Sequence, residues 1–133
     1  MIREPPRIIS AKDIEQSLHF YQSVLGFDLA YRWPREGPLE YAFLRSGEID
    51  VWIVTEGMVE RLCQTSWWRR DSVKLELDIE VDDVDAMVKH LVQKGVNPVA
   101  TAAIQQPVMG QTAVFEDPDG NLIHIQAKRT GRY

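Results

Sequence analysis

The stretch Phe115-Glu116-Asp117-Pro118-Asp119-Gly120-Asn121-Leu122-Ile123-His124-Ile125 reads as strand, tight turn, strand. Pro118 presets φ at the second turn position, and Gly120 and Asn121 tolerate φ > 0. The apolar flanks then run as β-strands. A hairpin alone carries no function. This one closes a chain whose second half repeats the plan of its first, and it places a histidine on the outgoing strand.

The first half opens with a short strand at residues 8–11. Asp13 caps a helix, with Gln16 at the capping-box position. Ile14, Leu18, Tyr21 and Leu25 form one apolar helical stripe, and Gly26 stops the helix. Residues 27–33, 41–45 and 49–55 read as three strands. The run Pro34-Arg35-Glu36-Gly37-Pro38 breaks the first of these from the second, and Ser46-Gly47-Glu48 turns tightly between the second and third. The second half keeps the order. Residues 74–81 alternate strictly, with Leu75, Leu77, Ile79 and Val81 on one face. Asp82 or Asp83 caps a helix with stripe residues Val84, Met87, Val88 and Leu91, and Gly95 stops it. Residues 98–102, 113–116 and 122–127 supply three more strands.

Asp13-Ile14-Glu15 matches Asp83-Val84-Asp85, and Leu25-Gly26-Phe27 matches Lys94-Gly95-Val96, an offset of about 70 residues. The expected fold class is α+β: two tandem βαβββ modules forming a curved mixed sheet around a cleft. Module one spans residues 7–56, a linker 57–72 and module two 73–128, all within a single domain of residues 1–133. The linker holds Trp67-Trp68-Arg69-Arg70. These aromatics either pack the linker onto the domain or a partner subunit, or form a stacking platform at a pocket mouth.

The 133 residues suffice for one domain with a sizeable core, and 44% hydrophobic with 26% charged residues is ordinary for a globular protein. Met1-Ile2-Arg3-Glu4-Pro5-Pro6 lacks the apolar region of a signal peptide, and no run approaches the ~20 apolar residues of a membrane span. The single Cys63 has no internal disulfide partner, so a cytoplasmic location is expected. A net charge of -5 argues against nucleic acid as a partner. That charge suits a cationic ligand and equally suits plain solubility.

On the strand at residues 74–81 the face opposite the helix carries Glu76, Asp78 and Glu80. On the last strand it carries Leu122, His124 and Gln126. In a cleft, Glu76 and Asp78 would meet His124 and Gln126, with Trp52 or Tyr41 as apolar wall. Of the three histidines, His19 and His90 fall off the helical stripes and are expected in solvent, which leaves His124 for site chemistry. Glu and His are competent ligands for Zn, Ni, Mn or Fe. A lone strand histidine is also an ordinary structural residue. Cys63 sits beside Arg61 with no histidine partner by spacing, and neither a nucleophile elbow, a phosphate loop nor a dinucleotide fingerprint is present.

Three segments together resemble the vicinal oxygen chelate superfamily, which groups glyoxalase I, bleomycin-resistance proteins and extradiol dioxygenases. They are residues 13–27 with Leu25-Gly26-Phe27, residues 81–95 from Val81-Asp82-Asp83-Val84-Asp85-Ala86, and the 115–121 turn. The resemblance implies four strand positions for metal ligands. The first falls on Pro6, the second near Asp50 to Trp52, the third on Glu76 and the fourth on His124. Pro6 has no ligand atom, and His124 stands where a carboxylate is usual. The bleomycin-resistance branch fits better, through Gln106-Pro107 to Gly110 and Asp117-Pro118-x-Gly120-Asn121-x-x-His124, although Val108 and Met109 replace an aromatic common there.

That branch implies a homodimer binding a small molecule without a cofactor. Trp52, Trp67 and Trp68 would stack on a cationic or aromatic ligand. Glu76, Asp78 and Glu80 would supply negative potential, and His124 and Gln126 hydrogen bonds. The alternative is a divalent-metal lyase, isomerase or dioxygenase with Glu76, His124 and Asp50 as ligands. A regulatory module without a small ligand is the third reading.

Overall fold

A computed structural model describes residues 7–63, 76–106 and 110–127 of the chain. The chain divides into two units, Met1–Val73 and Lys74–Tyr133, each built on a βαβββ plan.

Unit one runs β1 (Arg7–Ala11), α1 (Ile14–His19), β2 (Asp28–Trp33), β3 (Tyr41–Ser46), β4 (Ile49–Thr55) and α2 (Glu56–Cys63). Its sheet has the order β1-β4-β3-β2. β1 lies parallel to β4, and the other pairs are antiparallel. Unit two runs β5 (Glu76–Val81), α3 (Val84–Gln93), β6 (Pro98–Gln106), β7 (Gly110–Glu116) and β8 (Leu122–Ala127). Its sheet has the order β5-β8-β7-β6, with β5 parallel to β8. The fold class is therefore α+β, with two four-stranded mixed sheets.

The helix signals work as local chemistry requires. Asp13 accepts from the Gln16 amide at 3.2 Å, and Asp83 accepts from the Ala86 amide at 3.1 Å. Asp83, rather than Asp82, is therefore the cap. Each satisfies an amide that would otherwise have no partner within its helix. At the other ends Gly26 and Gly95 take φ of 83° and 86°. The reversed backbone returns Phe27 N–H to the Tyr21 carbonyl at 2.8 Å and Val96 N–H to Leu91 at 2.9 Å. Asp83→Ala is expected to lower stability by about 1 kcal/mol and the melting temperature by roughly 4 °C, read by calorimetry. An unchanged melting temperature would show that the cap carries no weight.

Three expectations need correction. The first concerns the stripe Ile14, Leu18, Tyr21, Leu25. After α1 the chain widens into a π-helical turn at Phe20–Val24, with Leu25 N–H reaching the Phe20 carbonyl at 2.9 Å. The wider turn rotates the stripe, so Phe20, Tyr21 and Val24 are buried while Leu25 is only partly covered.

The second is the linker at 57–72, which begins as helix α2. Thr55 Oγ1 accepts from the Met58 amide at 3.1 Å and starts it, and Arg61 is paired with Glu40 at 2.6 Å. The third is β6, expected at 98–102, which continues to Gln106 opposite Gly110. The register shifts between Ala102 and Gln106, so the strand resumes pairing beyond an irregularity that its sequence does not announce.

Each core lies between its helix and one sheet face. In unit one Ile9, Ala42, Leu44, Val51 and Ile53 meet Leu18 and Tyr21; in unit two Leu77, Phe115, Ile123 and Ile125 meet Val84 and Leu91, all of them buried. Alternation along the strands sends the remaining side chains to the opposite face. The candidate site residues lie there.

Candidate functional site

In unit two the parallel pair β5–β8 sets Glu76 opposite Leu122, Asp78 opposite His124 and Glu80 opposite Gln126. The polar contacts run diagonally across this register. Gln126 Nε2 donates to Asp78 Oδ1 at 3.2 Å, and His124 Nε2 stands 4.0 Å from Glu76 Oε2. Diagonal neighbours across a ladder are within reach of long side chains. The structure thus brings Glu76 to His124 and Asp78 to Gln126, as alternation along the two strands suggested. His124 Nε2 is buried and has no hydrogen-bond partner among the described residues. The Glu76 pair becomes ionic only when the imidazole is protonated. Glu80 is exposed on the same strand.

In unit one the outward face is aromatic. Ile8 lies beside Trp52, Trp52 beside Phe43, and Phe43 beside Tyr31, in one row across four strands. A β-bulge makes this row. The register shifts between Leu29 and Tyr31, so Tyr31 faces Phe43 and Trp33 faces Tyr41. Were Ala30 paired in continuous register, it would take the place opposite Phe43 and turn Tyr31 and Trp33 to the core side. Ring centroids of Tyr31 and Tyr41 lie 6.0 Å apart, those of Tyr41 and Trp52 5.7 Å, and those of Phe43 and Trp52 6.5 Å. The last two pairs are edge-to-face, a geometry the ring quadrupoles favour. Trp52 Nε1–H is buried without a hydrogen-bond partner among the described residues.

Charge on this face is internally matched. Arg45 lies over the Phe43 ring at 5.8 Å and donates from Nε to Asp50 at 2.7 Å. The hydrogen bond to Asp50, then its charge, raises the Arg45 pKa further. Burial, followed by the charge of Tyr31 and a hydrogen bond with it, holds the Tyr41 pKa above its ordinary value. At neutral pH the Tyr41 phenol therefore stays protonated.

Tyr31, Phe43 and Arg45 were not named from the sequence. The period-2 run of aromatics at 31, 33, 41, 43 and 52 was readable, but its common face required the bulge and the strand register. Trp67, Trp68, Pro6 and residues 107–109 lie outside the described residues.

Among the described residues no three of His, Cys, Asp or Glu come together. Glu76 and His124 offer two donors, and Asp50 is held by Arg45. The described residues do not make up the three- or four-ligand set that a catalytic divalent metal requires. No described helix is long and apolar enough to cross a membrane.

Residues 8–126 match the glyoxalase-like domain family. An uncharacterized Bacillus subtilis protein, YraH, is 30% identical over 116 residues, covering 85% of this chain and 88% of the relative. A lactoylglutathione lyase of Neisseria meningitidis serogroup B is 32% identical over 126 residues, covering 90% of this chain and 86% of the relative. The fold is similar to that of TnmS3, an antibiotic binding protein from Streptomyces sp. CB03234. That match has a TM-score of 0.64 at 24% identity and covers 96% of this chain and 98% of that one. The chain belongs to the glyoxalase-like domain family.

Proposed function

We propose that this protein is a small-molecule binding protein that holds a planar, aromatic or cationic ligand without making or breaking a bond. The observation that carries the reading is the aromatic row Trp52–Phe43–Tyr31, joined by Tyr41, on the outward face of the first sheet. Rings that already meet edge-to-face present their remaining faces and edges to a flat ligand. Each such contact contributes about 1 kcal/mol beyond the area it buries. The acidic strand Glu76, Asp78, Glu80 favours a positive group by potential rather than by contact. TnmS3, named as an antibiotic binding protein, lends the reading support through its similar fold. Protection of a cell would then follow from mass action alone, since a sequestered molecule is removed from its target. Trp67 and Trp68 remain candidate stacking residues, and His124 and Gln126 candidate hydrogen-bonding ones. A cytoplasmic homodimer is part of the proposal, and the native mass in solution reads the dimer.

Titration with bleomycin, followed by intrinsic tryptophan fluorescence and by calorimetry, tests this. Saturable quenching is expected, with at least tenfold weaker binding in Trp52→Ala. No heat and no quenching at millimolar drug, for bleomycin and for a panel of cationic planar dyes, would defeat the reading.

A second reading has one observation in its favour: the approach of His124 to Glu76 in a chain 32% identical to a lactoylglutathione lyase. The same calorimeter answers it. Stoichiometric uptake of Ni or Zn that disappears in His124→Ala would move the assignment to a metal-dependent lyase or dioxygenase.

A further inference from the structure

Tyr31 and Trp33 are the most open members of the aromatic face, 48% and 44% exposed. Their strand, β2, lies at the edge of its four-stranded sheet. Pairing from Tyr31 to Trp33 is continuous, with Tyr31 opposite Phe43 and Trp33 opposite Tyr41. The two are therefore successive residues of one strand face, which stand about 6.6–6.8 Å apart along the strand. A flat ring with a carbon contact of about 3.5 Å on each side needs about 7 Å. Tyr31 leans across to Tyr41, with ring centroids 6.0 Å apart. Among the described residues no ring meets that of Trp33.

The strand behind these rings is fastened. Arg32, between them in sequence, is paired with Ala42 and so turns to the core side. Its guanidinium donates from Nε to the Pro34 carbonyl at 3.0 Å and from Nη2 to the Gly37 carbonyl at 2.9 Å. Glu40 N–H closes the same loop on the Trp33 carbonyl at 2.8 Å. The chain on both sides of Trp33 is thus set before any ligand arrives, which lowers the ordering cost of binding.

We propose that Tyr31 and Trp33 form a slot for one flat, positively charged aromatic ring, which enters from the sheet edge and rests against Tyr41. The inference rests on the binding reading above and names the ligand class for it, with Trp33 as a further binding residue. The strand spacing admits a single ring thickness. The faces of Tyr and Trp are electron-rich and attract cations, and this side of the sheet already carries Arg45 over the Phe43 ring at 5.8 Å. A heteroaromatic cation spreads its charge over its own plane and brings it within reach of both walls. A globular ammonium is too thick to enter, and an anionic ring would face two negative ring surfaces.

The test uses three probes on the full chain by calorimetry: N-methylacridinium, flat and cationic; acridine in mildly alkaline buffer, flat and uncharged; and adamantyltrimethylammonium, cationic and globular. N-methylacridinium is expected to bind about fivefold tighter than acridine and at least tenfold tighter than the adamantyl cation. Trp33→Ala is expected to weaken it about tenfold while the melting temperature stays close to that of the unmodified protein. In the unmodified protein the Tyr31 ring and Trp33 indole proton resonances are expected to move upfield together as the acridinium ring stacks between them, a measurement that needs no variant. Equal affinity for the flat and globular cations, unchanged affinity in Trp33→Ala, or resonances that stay in place overturn the slot. A protein that binds bleomycin and ignores N-methylacridinium also overturns it, while leaving the wider aromatic face as a ligand surface. Failure of bleomycin and of all three probes to bind overturns both.

Discussion

Asp117→Ala is expected to destabilise the protein by about 3 kcal/mol, measured as a lower urea midpoint with an unchanged slope. The side chain is 5% exposed and holds the 117–121 turn from within. Its Oδ1 accepts the Asp119 amide at 2.9 Å and the Asn121 amide at 2.8 Å, while Oδ2 accepts Asn121 Nδ2 at 2.8 Å. Two backbone bonds, Asp117 N–H to the Asn121 carbonyl at 2.9 Å and Gly120 N–H to the Asp117 carbonyl at 3.1 Å, complete the knot. Alanine removes every side-chain acceptor at once and leaves donors in a site that is closed to water. Bonds to a charged group contribute about 1.5–3 kcal/mol each, but the three share one carboxylate and do not add in full. Asp117→Asn separates the parts. Its carbonyl oxygen can still take the two amides, whereas its NH2 would face the NH2 of Asn121, so about half the loss is expected. Equal losses in the two variants would place the effect in the negative charge instead.

That knot also shows how far local sequence reaches. Pro118, Gly120 and Asn121 announce a turn, and Gly120 does take φ of 85°. Asn121 tolerates positive φ by residue type, yet no described residue other than glycine adopts one. Its role is the buried amide that meets Asp117, a partnership four residues apart that turn propensity does not express.

The modules, the caps and the glycine stops were legible because each depends on a few neighbouring residues. What escaped depends on pairing between distant strands. Tyr31 reads as an ordinary strand aromatic until the bulge after Leu29 sets it opposite Phe43. The π-helical turn at Phe20–Val24 is likewise invisible to periodicity, which assumes a constant rotation per residue. Helix α2 has a local signal, since Thr55 precedes Met58 at capping distance, while Gly57 in its first turn weakens a helical reading. The proximity of Glu76 to His124 and of Asp78 to Gln126 was legible because period-2 alternation on two strands needs only one correct pairing.

Tyr21 and Tyr31 put that distinction between local and long-range information to the test. Tyr21→Ala is expected to cost about 4 kcal/mol, the largest single loss in the first unit. Its ring is fully buried and stands edge-to-face with Phe20 at 5.3 Å and with Phe27 at 5.7 Å. Truncation opens a cavity at the point where the π-helical turn meets the sheet. Tyr21 also accepts the Phe27 amide through its carbonyl, so the side chain and the helix stop are anchored by one residue. Tyr21→Phe keeps the ring and is expected to lose only about 1 kcal/mol. Tyr31 is the contrasting case, 48% exposed on the outward face. Tyr31→Ala is expected to shift stability by less than about 0.5 kcal/mol and to weaken the binding of a planar ligand instead. Thermal unfolding and calorimetric titration of both alanine variants measure the two effects side by side. A Tyr31→Ala protein as unstable as Tyr21→Ala would mean that the aromatic row is part of the core, and its claim as a ligand surface would fall. Stability lost at Tyr21 and affinity lost at Tyr31 would separate the two faces of one sheet by their work: one holds the helix and the other is left for a ligand.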